Sequence, residues 1–319
     1  MNPPLQLLID TDTGSDDAVA LLLAARAAEA TIEAVTTVAG NVPLPQATHN
    51  ALITLELAGA GTVPVHEGCD RPLLRTLQTA QHVHGSDGMS GAAPPSPIGA
   101  PSAGHAVDVL LRLAHTRGPQ LTLVTLGPLT NIAAALLRDR HLLRRFRHTY
   151  CMAGAADGHG NITATAEYNV WADPEAAAIV LDAATPDKVT WIGWDASRRD
   201  AVMTPQRQRR LHDLGTATAT FVGRINQAVN TWATDVTGLP GYDLPDPLAM
   251  AVALDPGLAR HTEAAQVRVA LGDEARGQLL IDRRRTANAL NVTLIRRVDT
   301  AGFERMLLNA CGATAEADA

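Results

Sequence analysis

The chain is poor in lysine and in net positive charge, and each shortage excludes a class of function. Lys188 is the only lysine among 319 residues, so chemistry that depends on a lysine has a single candidate. The formal net charge is −7 at pH 7. Surfaces that bind nucleic acid or anionic membranes need clustered Lys and Arg, which an acidic chain does not favour. We therefore expect neither nucleic acid nor a membrane as a partner.

Cysteines and long apolar runs are also scarce. Cys69, Cys151 and Cys311 are odd in number, widely spaced and set in apolar sequence, which is typical of reduced, buried thiols and not of a disulfide framework. No run approaches the roughly 20 apolar residues of a membrane span, and no basic segment followed by a long apolar one opens the sequence. We expect a soluble protein that stays in the cytoplasm.

What the chain does contain is a regular alternation of short apolar runs and helical patterns. The predicted strands cover residues 5–9, 31–38, 63–65, 121–126, 148–153, 188–192, 265–271, 278–281 and 290–295. The predicted helices cover residues 18–30, 45–58, 103–115, 129–138, 174–183 and 303–308. This rhythm is typical of a parallel sheet with helices on both faces. We predict a single doubly wound, mainly parallel α/β domain of Rossmann-like type over residues 1–311.

Two segments fall outside this rhythm. Residues 85–104 are rich in Gly and Pro and too long for an ordinary connection, and long loops in compact domains are usually functional or disordered. We interpret this segment as a mobile flap. Residues 312–319 are small and polar, which predicts a disordered tail.

The most informative segment is residues 10–17, DTDTGSDD, at the end of the first predicted strand. Open α/β sheets bind ligands at the carboxyl ends of their strands. Four carboxylates this close repel one another, so a hard divalent cation would stabilise them. Helix capping could account for Ser15, Asp16 or Asp17. Capping does not account for Asp10 and Asp12, which interrupt the end of an apolar strand.

This segment resembles the Asp-x-Asp-x-Gly-x-Asp-Asp signature of the inosine-uridine-preferring nucleoside hydrolases. Other segments resemble motifs of that family in the same order along the chain, and several ordered motifs are more specific than one acidic cluster. They are residues 36–41 (TTVAGN), 82–88 (HVHGSDG), 126–131 (LGPLTN), 152–154 (MAG), 160–161 (GN), 166–169 (AEYN), 173–177 (DPEAA) and 246–248 (DPL). The resemblance covers about residues 5–255 and implies a ribonucleoside N-ribohydrolase.

The resemblance also implies a calcium ion and a set of oxygen ligands, which Ca²⁺ prefers. The implied ligands are Asp12, Asp17, the backbone carbonyl of Leu126, and Asp246. Asp12 is further implied to be the general base that takes a proton from an ion-bound water. Asp10 is implied to orient the ligands. The family also forms homo-oligomers, which implies a dimer or tetramer.

Other residues are implied to bind the nucleoside. Breaking a ribosyl C–N bond develops positive charge on the sugar, which anionic and lone-pair groups stabilise. The resemblance gives Asp16 the 2′-hydroxyl, Asn169 the 3′-hydroxyl, and Asn161 and Glu167 the 5′-hydroxyl. The remaining implied contacts are Asn41 and Met152, which line the site, and His84, which faces the nucleobase and has a catalytic role, while His82 is interpreted as its solvated neighbour. Trp232 lies in a helical stretch around 221–233 and could stack on a base, although an aromatic residue at helical spacing more often belongs to the core.

One position departs from the family pattern. Base-nonspecific members carry a histidine just before the C-terminal aspartate, where it helps to protonate the departing base. Pro245 stands in that place here, and proline donates neither a proton nor a hydrogen bond. Help for the leaving group must then come from His84, Tyr242, Asp243, stacking, or a base that leaves easily.

Two alternatives stay open on the sequence alone. Haloacid-dehalogenase-like phosphatases also begin with alternating aspartates after the first strand, and that hypothesis makes Asp10 the nucleophile and needs Lys188 beside it. A calcium-dependent nucleoside or ribose sensor would keep the binding residues without turnover.

Overall fold

The computed structural model describes residues 3–92, 96–284 and 289–312. Its strands are β1 (Leu5–Thr11), β2 (Ala30–Thr37), β3 (Val65–Glu67), β4 (Leu121–Thr125), β5 (His148–Met152), β6 (Val189–Ile192), β7 (Val202–Met203), β8 (Tyr242–Asp243), β9 (Ala259–Val269), β10 (Leu279–Asp282) and β11 (Val292–Val298). Its first seven α-helices are α1 (Ser15–Arg26), α2 (Leu44–Leu57), α3 (Gln81–His84), α4 (Ala106–Arg117), α5 (Thr130–Arg138), α6 (Leu142–Arg145) and α7 (Tyr168–Ala172). The others are α8 (Pro174–Ala183), α9 (Trp194–Asp200), α10 (Pro205–His212), α11 (Ala217–Ile225), α12 (Gln227–Trp232), α13 (Pro245–Leu254) and α14 (Thr300–Gly312).

In the described residues, nine strands form one sheet in the order β10-β9-β11-β6-β5-β4-β1-β2-β3. The pairs from β3 to β11 are parallel, whereas β9 and β10 add an antiparallel edge. Strands β7 and β8 form a separate antiparallel pair. The chain builds outward from β1 through β2 to β3 and then returns to β4 on the other side of β1. This reversal opens a crevice at the carboxyl ends of β1 and β4, where such sheets bind ligands.

Apolar residues of β1 explain why helices cover both faces of the sheet. Leu7 and Ile9 point into one buried core, which contains most of α1 and α13. Leu8 points into a second core, formed with α4, α5 and α8. Alternate residues of a strand face opposite sides, so a strand that is apolar throughout must be covered twice. The predicted fold class is confirmed.

The largest difference from the predicted elements is the run α9 to α13. Within this region the sequence pattern predicts only the helical stretch around 221–233, which corresponds to α11 and α12. Helix α13 is buried along its length from Asp246 to Leu254, and all residues after Pro247 are apolar. A helix that is apolar on every side has no 3.6-residue periodicity to detect. Its packing against α1 nevertheless brings Asp246 to the sheet edge.

Smaller predictions have mixed outcomes. Strand β3 covers Val65–Glu67, so the predicted strand at residues 63–65 overlaps it only at Val65. Strand β9 begins at Ala259, six residues before the strand predicted at 265–271. The cysteines are free thiols, with Cys151 and Cys311 buried and Cys69 half-buried. Within the described residues, no helix has the length and apolar character needed to cross a bilayer.

The predicted flap and tail are described only in part. Residues 93–95 lie outside the described residues, and the rest of 85–104 contains neither helix nor strand. Its first part is anchored, because Met89 is fully buried and Asn50 Nδ2 donates to the Asp87 carbonyl at 2.9 Å. Mobility of this segment stays a prediction. Gly312 ends α14, and residues 313–319 of the predicted tail lie outside the described residues.

Asn131, in the first turn of α5, ties together the strands that carry the site. Its Nδ2 donates to Asp10 Oδ1 at 2.8 Å and to the Thr37 carbonyl at 2.9 Å, and its Oδ1 accepts from the Cys69 amide at 2.8 Å. An apolar side chain here would remove all three hydrogen bonds and leave the Cys69 amide without a partner among the described residues.

We therefore expect Asn131→Leu to lower the free energy of unfolding by about 2–4 kcal/mol, because each orphaned buried group costs about 1–3 kcal/mol. Asn309→Leu is the matched control, since Asn309 is exposed on α14. Urea unfolding of both variants measures the difference. Equal stability of the two variants would show that the Asn131 bonds contribute little.

Candidate active site

The polar residues singled out from the sequence gather where the parallel strands end. Asp10 lies in β1, and Asp12 follows that strand directly. Asn41 follows β2, Leu126 follows β4, and Met152 ends β5. Because carboxyl ends of parallel strands share one edge of a sheet, side chains far apart in sequence meet there. Helices α1 and α13 begin at the same edge and add Asp16, Asp17 and Asp246 from their first turns.

Three of these acids converge closely enough to hold one cation. Carboxylate oxygens of Asp16, Asp17 and Asp246 lie within 4.8 Å of one another, and all three residues are buried. Asp12 is fully buried beside them, and its Oδ2 accepts from the Asn41 amide at 2.6 Å. Asp17 has a second role at the start of α1, because its Oδ2 accepts from the Gly14 amide at 2.9 Å. Asp17 can therefore cap α1 and also belong to the acidic cluster.

The acidic cluster is short of positive charge and of hydrogen-bond donors. Asp12 Oδ1 and Asp16 Oδ1 are buried without a partner among the described residues. Burial raises the pKa of both carboxyls well above its usual range, and the negative charge of Asp17 raises it further. Burial and the charge of Asp16 raise the pKa of Asp246 in the same direction. A divalent cation with oxygen ligands fits this site, since it would neutralise the carboxylates and occupy their free oxygens.

Asp10 is separated from the cluster by its own hydrogen bonds. Thr36 Oγ1 donates to its Oδ1 at 2.5 Å, and Asn131 Nδ2 donates to the same oxygen. Burial raises the pKa of Asp10 to about 7, although both bonds act to lower it. These contacts join β1 to β2 and α5, which suits a residue that supports the site and does not touch substrate.

Two glycines allow the backbone to close around Asp12. A Cβ atom at Gly40 would lie 2.0 Å from Asp12 Oδ2, and one at Gly127 would lie 2.7 Å from Asp12 Oδ1. Such distances are far inside van der Waals contact. The sequence segments TTVAGN and LGPLTN therefore matter as much for their glycines as for their polar residues.

A cavity opens beside the acidic cluster, and one side of it carries amide and carboxyl groups. Asn169 Nδ2 donates to the Leu126 carbonyl at 2.6 Å and to the Met152 carbonyl at 3.2 Å. Glu167 caps α7, and it accepts from the amides of Asn169 at 2.8 Å and Gly154 at 2.6 Å. Burial raises the pKa of Glu167 to about 7.

Asn161 Oδ1 accepts from the Tyr168 amide at 2.8 Å. Asn161, Glu167 and Asn169 all line the cavity, as do Asn41 and Met152.

His84 ends α3 and lines the same cavity. Its Nδ1 lies 3.0 Å from Ser15 Oγ and 3.8 Å from Asp16 Oδ1. Burial lowers the pKa of His84 to about 4, so its imidazole is neutral near pH 7. His82 is exposed, as expected of a solvated neighbour, yet it also lines the cavity.

The rest of the cavity wall is largely aromatic, and Trp194 was missed in the sequence analysis. Trp194, Trp232 and Tyr168 line it, together with Asp243 and Pro245. Trp232 also packs against the core, so the expected core role is only part of its position. Trp194 follows β6 at the same sheet edge as the acidic segment. This position after a parallel strand could have identified it from the sequence. Asp243 carries no comparable signal, because β8 is only two residues long.

The phosphatase alternative fails on geometry. Lys188 precedes β6, and its Nζ donates to the Phe146 carbonyl, just before β5, at 3.1 Å. That is the amino end of the parallel strands, whereas Asp10 lies at the carboxyl end. The only lysine in the chain therefore lies at the opposite edge of the sheet from the required nucleophile.

An open parallel sheet with a buried acidic cluster beside an aromatic cavity defines the class of protein as an α/β enzyme with a candidate metal site. Residues 7–305 match the family described as inosine-uridine preferring nucleoside hydrolase. The chain belongs to this family, and it is a ribonucleoside hydrolase that cleaves N-glycosidic bonds. The function implied by the sequence resemblance is thus confirmed at the level of the reaction class.

Individual relatives cover nearly the whole chain. It is 34% identical over 303 residues to the pyrimidine-specific ribonucleoside hydrolase RihA of Photobacterium profundum, covering 94% of this chain and 96% of that protein. It is 35% identical over 270 residues to the inosine-uridine preferring nucleoside hydrolase of Crithidia fasciculata, covering 84% of each. Among solved structures, a plant nucleoside hydrolase gives a TM-score of 0.89 at 30% identity, covering 98% of this chain and 100% of that one. The purine-preferring ribonucleoside hydrolase of Gardnerella vaginalis gives 0.88 at 29% identity, covering 96% and 98%.

The close approach of Gly40 to Asp12 gives a direct test of the site. We expect Gly40→Ala to lower kcat/KM for a nucleoside by about 100-fold or more, because an ångström-scale displacement at a site can cost about that much. Gly223→Ala is the control. Gly223 lies in α11 with open space around it, so alanine there should keep activity and stabilise the helix by about 0.5–1 kcal/mol. Steady-state kinetics and thermal unfolding check both variants, and normal kinetics for Gly40→Ala would contradict the proposed placement of Asp12.

Proposed function

We propose that the chain hydrolyses ribonucleosides to ribose and free base with a bound Ca²⁺ ion and with Asp12 as general base. The observation that carries this proposal is the buried acidic cluster, in which Asp12 Oδ1 and Asp16 Oδ1 lack hydrogen-bond partners among the described residues. Asp16 and Asp246 of this cluster line the cavity. A cluster of this kind costs free energy in the folded protein unless it binds protons or a cation. An all-oxygen donor set is the kind that Ca²⁺ prefers.

Four groups would hold the ion: Asp12, Asp17, Asp246 and the Leu126 carbonyl. Supporting this set, Asp17 and Asp246 belong to the converging carboxylates, and Leu126 lies in the wall of the same cavity. Asp16 also converges on Asp17 and Asp246. We assign Asp16 to the 2′-hydroxyl, because its Oδ1 is unpartnered and its side chain lines the cavity.

Asp12 suits the role of base because one of its oxygens is fixed and the other is free. Asn41 holds Oδ2, which leaves Oδ1 to accept a proton from water. When bound, Ca²⁺ supplies the positive charge that lowers the pKa of the attacking water. Asp12 takes the proton of that water as oxygen adds to C1′ of the ribose. Glu167, Asn161 and Asn169 would then fix the sugar, since all three line the cavity beside the cluster.

Assembly and compartment stay predictions. The family resemblance supports a homo-oligomer, and the free cysteines support a reducing cytoplasm. Similar proteins have names that specify pyrimidine in one case and purine in another. The base preference must therefore be measured on a nucleoside panel.

A reducing-sugar assay over purine and pyrimidine nucleosides, with and without a chelator, tests the proposal. We expect ribose release that the chelator abolishes and Ca²⁺ restores. Activity that survives the chelator would contradict the metal assignment. Nucleoside binding by calorimetry without any ribose release would support the sensor hypothesis instead.

The ligand set has its own test. We expect Asp17→Asn and Asp246→Asn to lose Ca²⁺ and activity together, because each removes a charged ligand. We expect Asp16→Asn to keep Ca²⁺ and lose turnover, because its partner is the sugar. Calcium titration of the purified variants, beside kcat, checks both statements. Normal Ca²⁺ binding by Asp17→Asn, or loss of Ca²⁺ by Asp16→Asn, would show that the roles are wrongly assigned.

Specificity for ribose over 2′-deoxyribose should follow from the role of Asp16. A deoxynucleoside leaves that buried carboxylate without a partner, and sites built to bind a hydroxyl reject analogues lacking it by about 10⁴-fold or more. Comparison of kcat/KM for uridine and 2′-deoxyuridine measures this ratio. A ratio near one would remove the 2′-hydroxyl contact from the proposal.

A further inference from the structure

The cavity has no obvious proton donor for the departing nucleobase. Cleavage leaves negative charge on a base nitrogen, and a positioned acid that neutralises it contributes about 10²–10⁴-fold in rate. Pro245 forms part of the cavity wall, but it has no proton to give. Other groups in or near the wall must be considered in turn.

The two alternatives to Asp243 named from the sequence are poorly suited. His84 is neutral near pH 7, because burial lowers its pKa, and its Nδ1 contacts Ser15 Oγ. Tyr242 is buried and lines a different cavity, between α10, α11 and α12, and burial raises its pKa far above neutral. Tyr168 does line the active-site cavity, but its hydroxyl donates to the Gln78 carbonyl at 2.8 Å. None of these groups presents an acidic proton to the cavity.

Asp243 is better placed. It belongs to β8, which pairs with β7 and leads directly into α13, so it lies three residues before Asp246. Its side chain is buried, and the residue forms part of the cavity wall together with Trp194 and Pro245. The hydrogen bonds found for its side chain run to α9 and not to the acidic cluster. It is thus a buried acidic residue of the same cavity wall that the proposed ion and sugar contacts do not use.

The contacts of Ser197 suit a carboxyl that can carry a proton. Ser197 Oγ lies 2.5 Å from Asp243 Oδ2 and 2.8 Å from the Trp194 carbonyl oxygen. A hydroxyl has one hydrogen and can donate it to only one of these two oxygens. The short contact can therefore form with Asp243 ionised, when Ser197 donates to it, or with Asp243 protonated, when Ser197 donates to Trp194 and accepts from the carboxyl.

We propose that Asp243 is the general acid that protonates the departing nucleobase. It would take the role of the family's histidine, whose position Pro245 occupies in this chain. This inference rests on the proposed function. The C1′–N bond breaks, its electron pair goes to the base, and the Asp243 proton transfers to a base nitrogen. Water adds to C1′ and gives its proton to Asp12. Exchange with solvent then reprotonates Asp243 and deprotonates Asp12.

The surroundings of Asp243 are consistent with an acid that works near neutral pH. Burial raises its pKa to about 6, while the hydrogen bonds from Ser197 and Trp194 and the charge of Arg198 on α9 oppose that increase. From α1, Asp16 faces it as a like charge. Because a general acid must be protonated, activity that depends on Asp243 should fall as pH rises through its pKa.

The experiment compares two substrates in the calcium-loaded enzyme. Inosine needs protonation of its base, whereas p-nitrophenyl riboside has a leaving group that needs little. We expect Asp243→Asn to lower kcat/KM for inosine by about 100-fold or more and for p-nitrophenyl riboside by less than about 10-fold. The parent should show a basic limb in its pH profile with inosine that is absent with p-nitrophenyl riboside, and Asp243→Asn should lose that limb.

His82→Ala and His84→Ala are the matched variants, since both histidines line the same cavity. If Asp243→Asn slows both substrates equally, its role is structural and the proposal is wrong. If a histidine variant shows the selective loss on inosine instead, that histidine is the acid. Failure of the parent enzyme on both substrates would count against the proposed function itself, which separates the two failures.

Discussion

The rest of the site depends on the unfavourable crowding of carboxylates at one end of the sheet. Burial and mutual repulsion both disfavour the charged forms of Asp12, Asp16 and Asp246. The fold keeps them together because β1, α1 and α13 are anchored by apolar packing on one side of the sheet. Affinity for a cation is then a consequence of the fold, since binding an ion relieves repulsion that the packing imposes.

Backbone geometry limits how these carboxylates can relax. Gly40 and Gly127 bring the loops after β2 and β4 against Asp12 from two sides. The Asn41 amide holds one of its oxygens, and Asn131 holds Asp10 behind it. These contacts fix the Asp12 carboxylate and leave its Oδ1 without a hydrogen-bond partner among the described residues. A fixed carboxylate with one free oxygen is what general-base chemistry requires.

The cavity wall combines two kinds of chemistry. Its carboxylates, amides and carbonyls suit hydroxyl groups and an ion, whereas the flat faces of Trp194, Trp232 and Tyr168 suit a nucleobase. Asp243 is the carboxyl associated with the aromatic wall, and its hydrogen bond to Ser197 sets it apart from the ion-binding group. One cavity can thus stabilise positive charge on the sugar and negative charge on the base.

The sequence by itself determined the alternation of sheet strands and helices along the chain and the position of the acidic segment, because both depend on local pattern. An apolar strand followed by DTDTGSDD specifies where carboxylates lie, and repeated alternation of strand and helix specifies a parallel sheet. Tertiary structure alone decided which distant residues join them. Asp246 reaches the cluster because the wholly apolar helix α13 packs on α1, and such a helix has no periodic signal. Trp194 and Asp243 reach the cavity through short elements whose positions only long-range packing fixes.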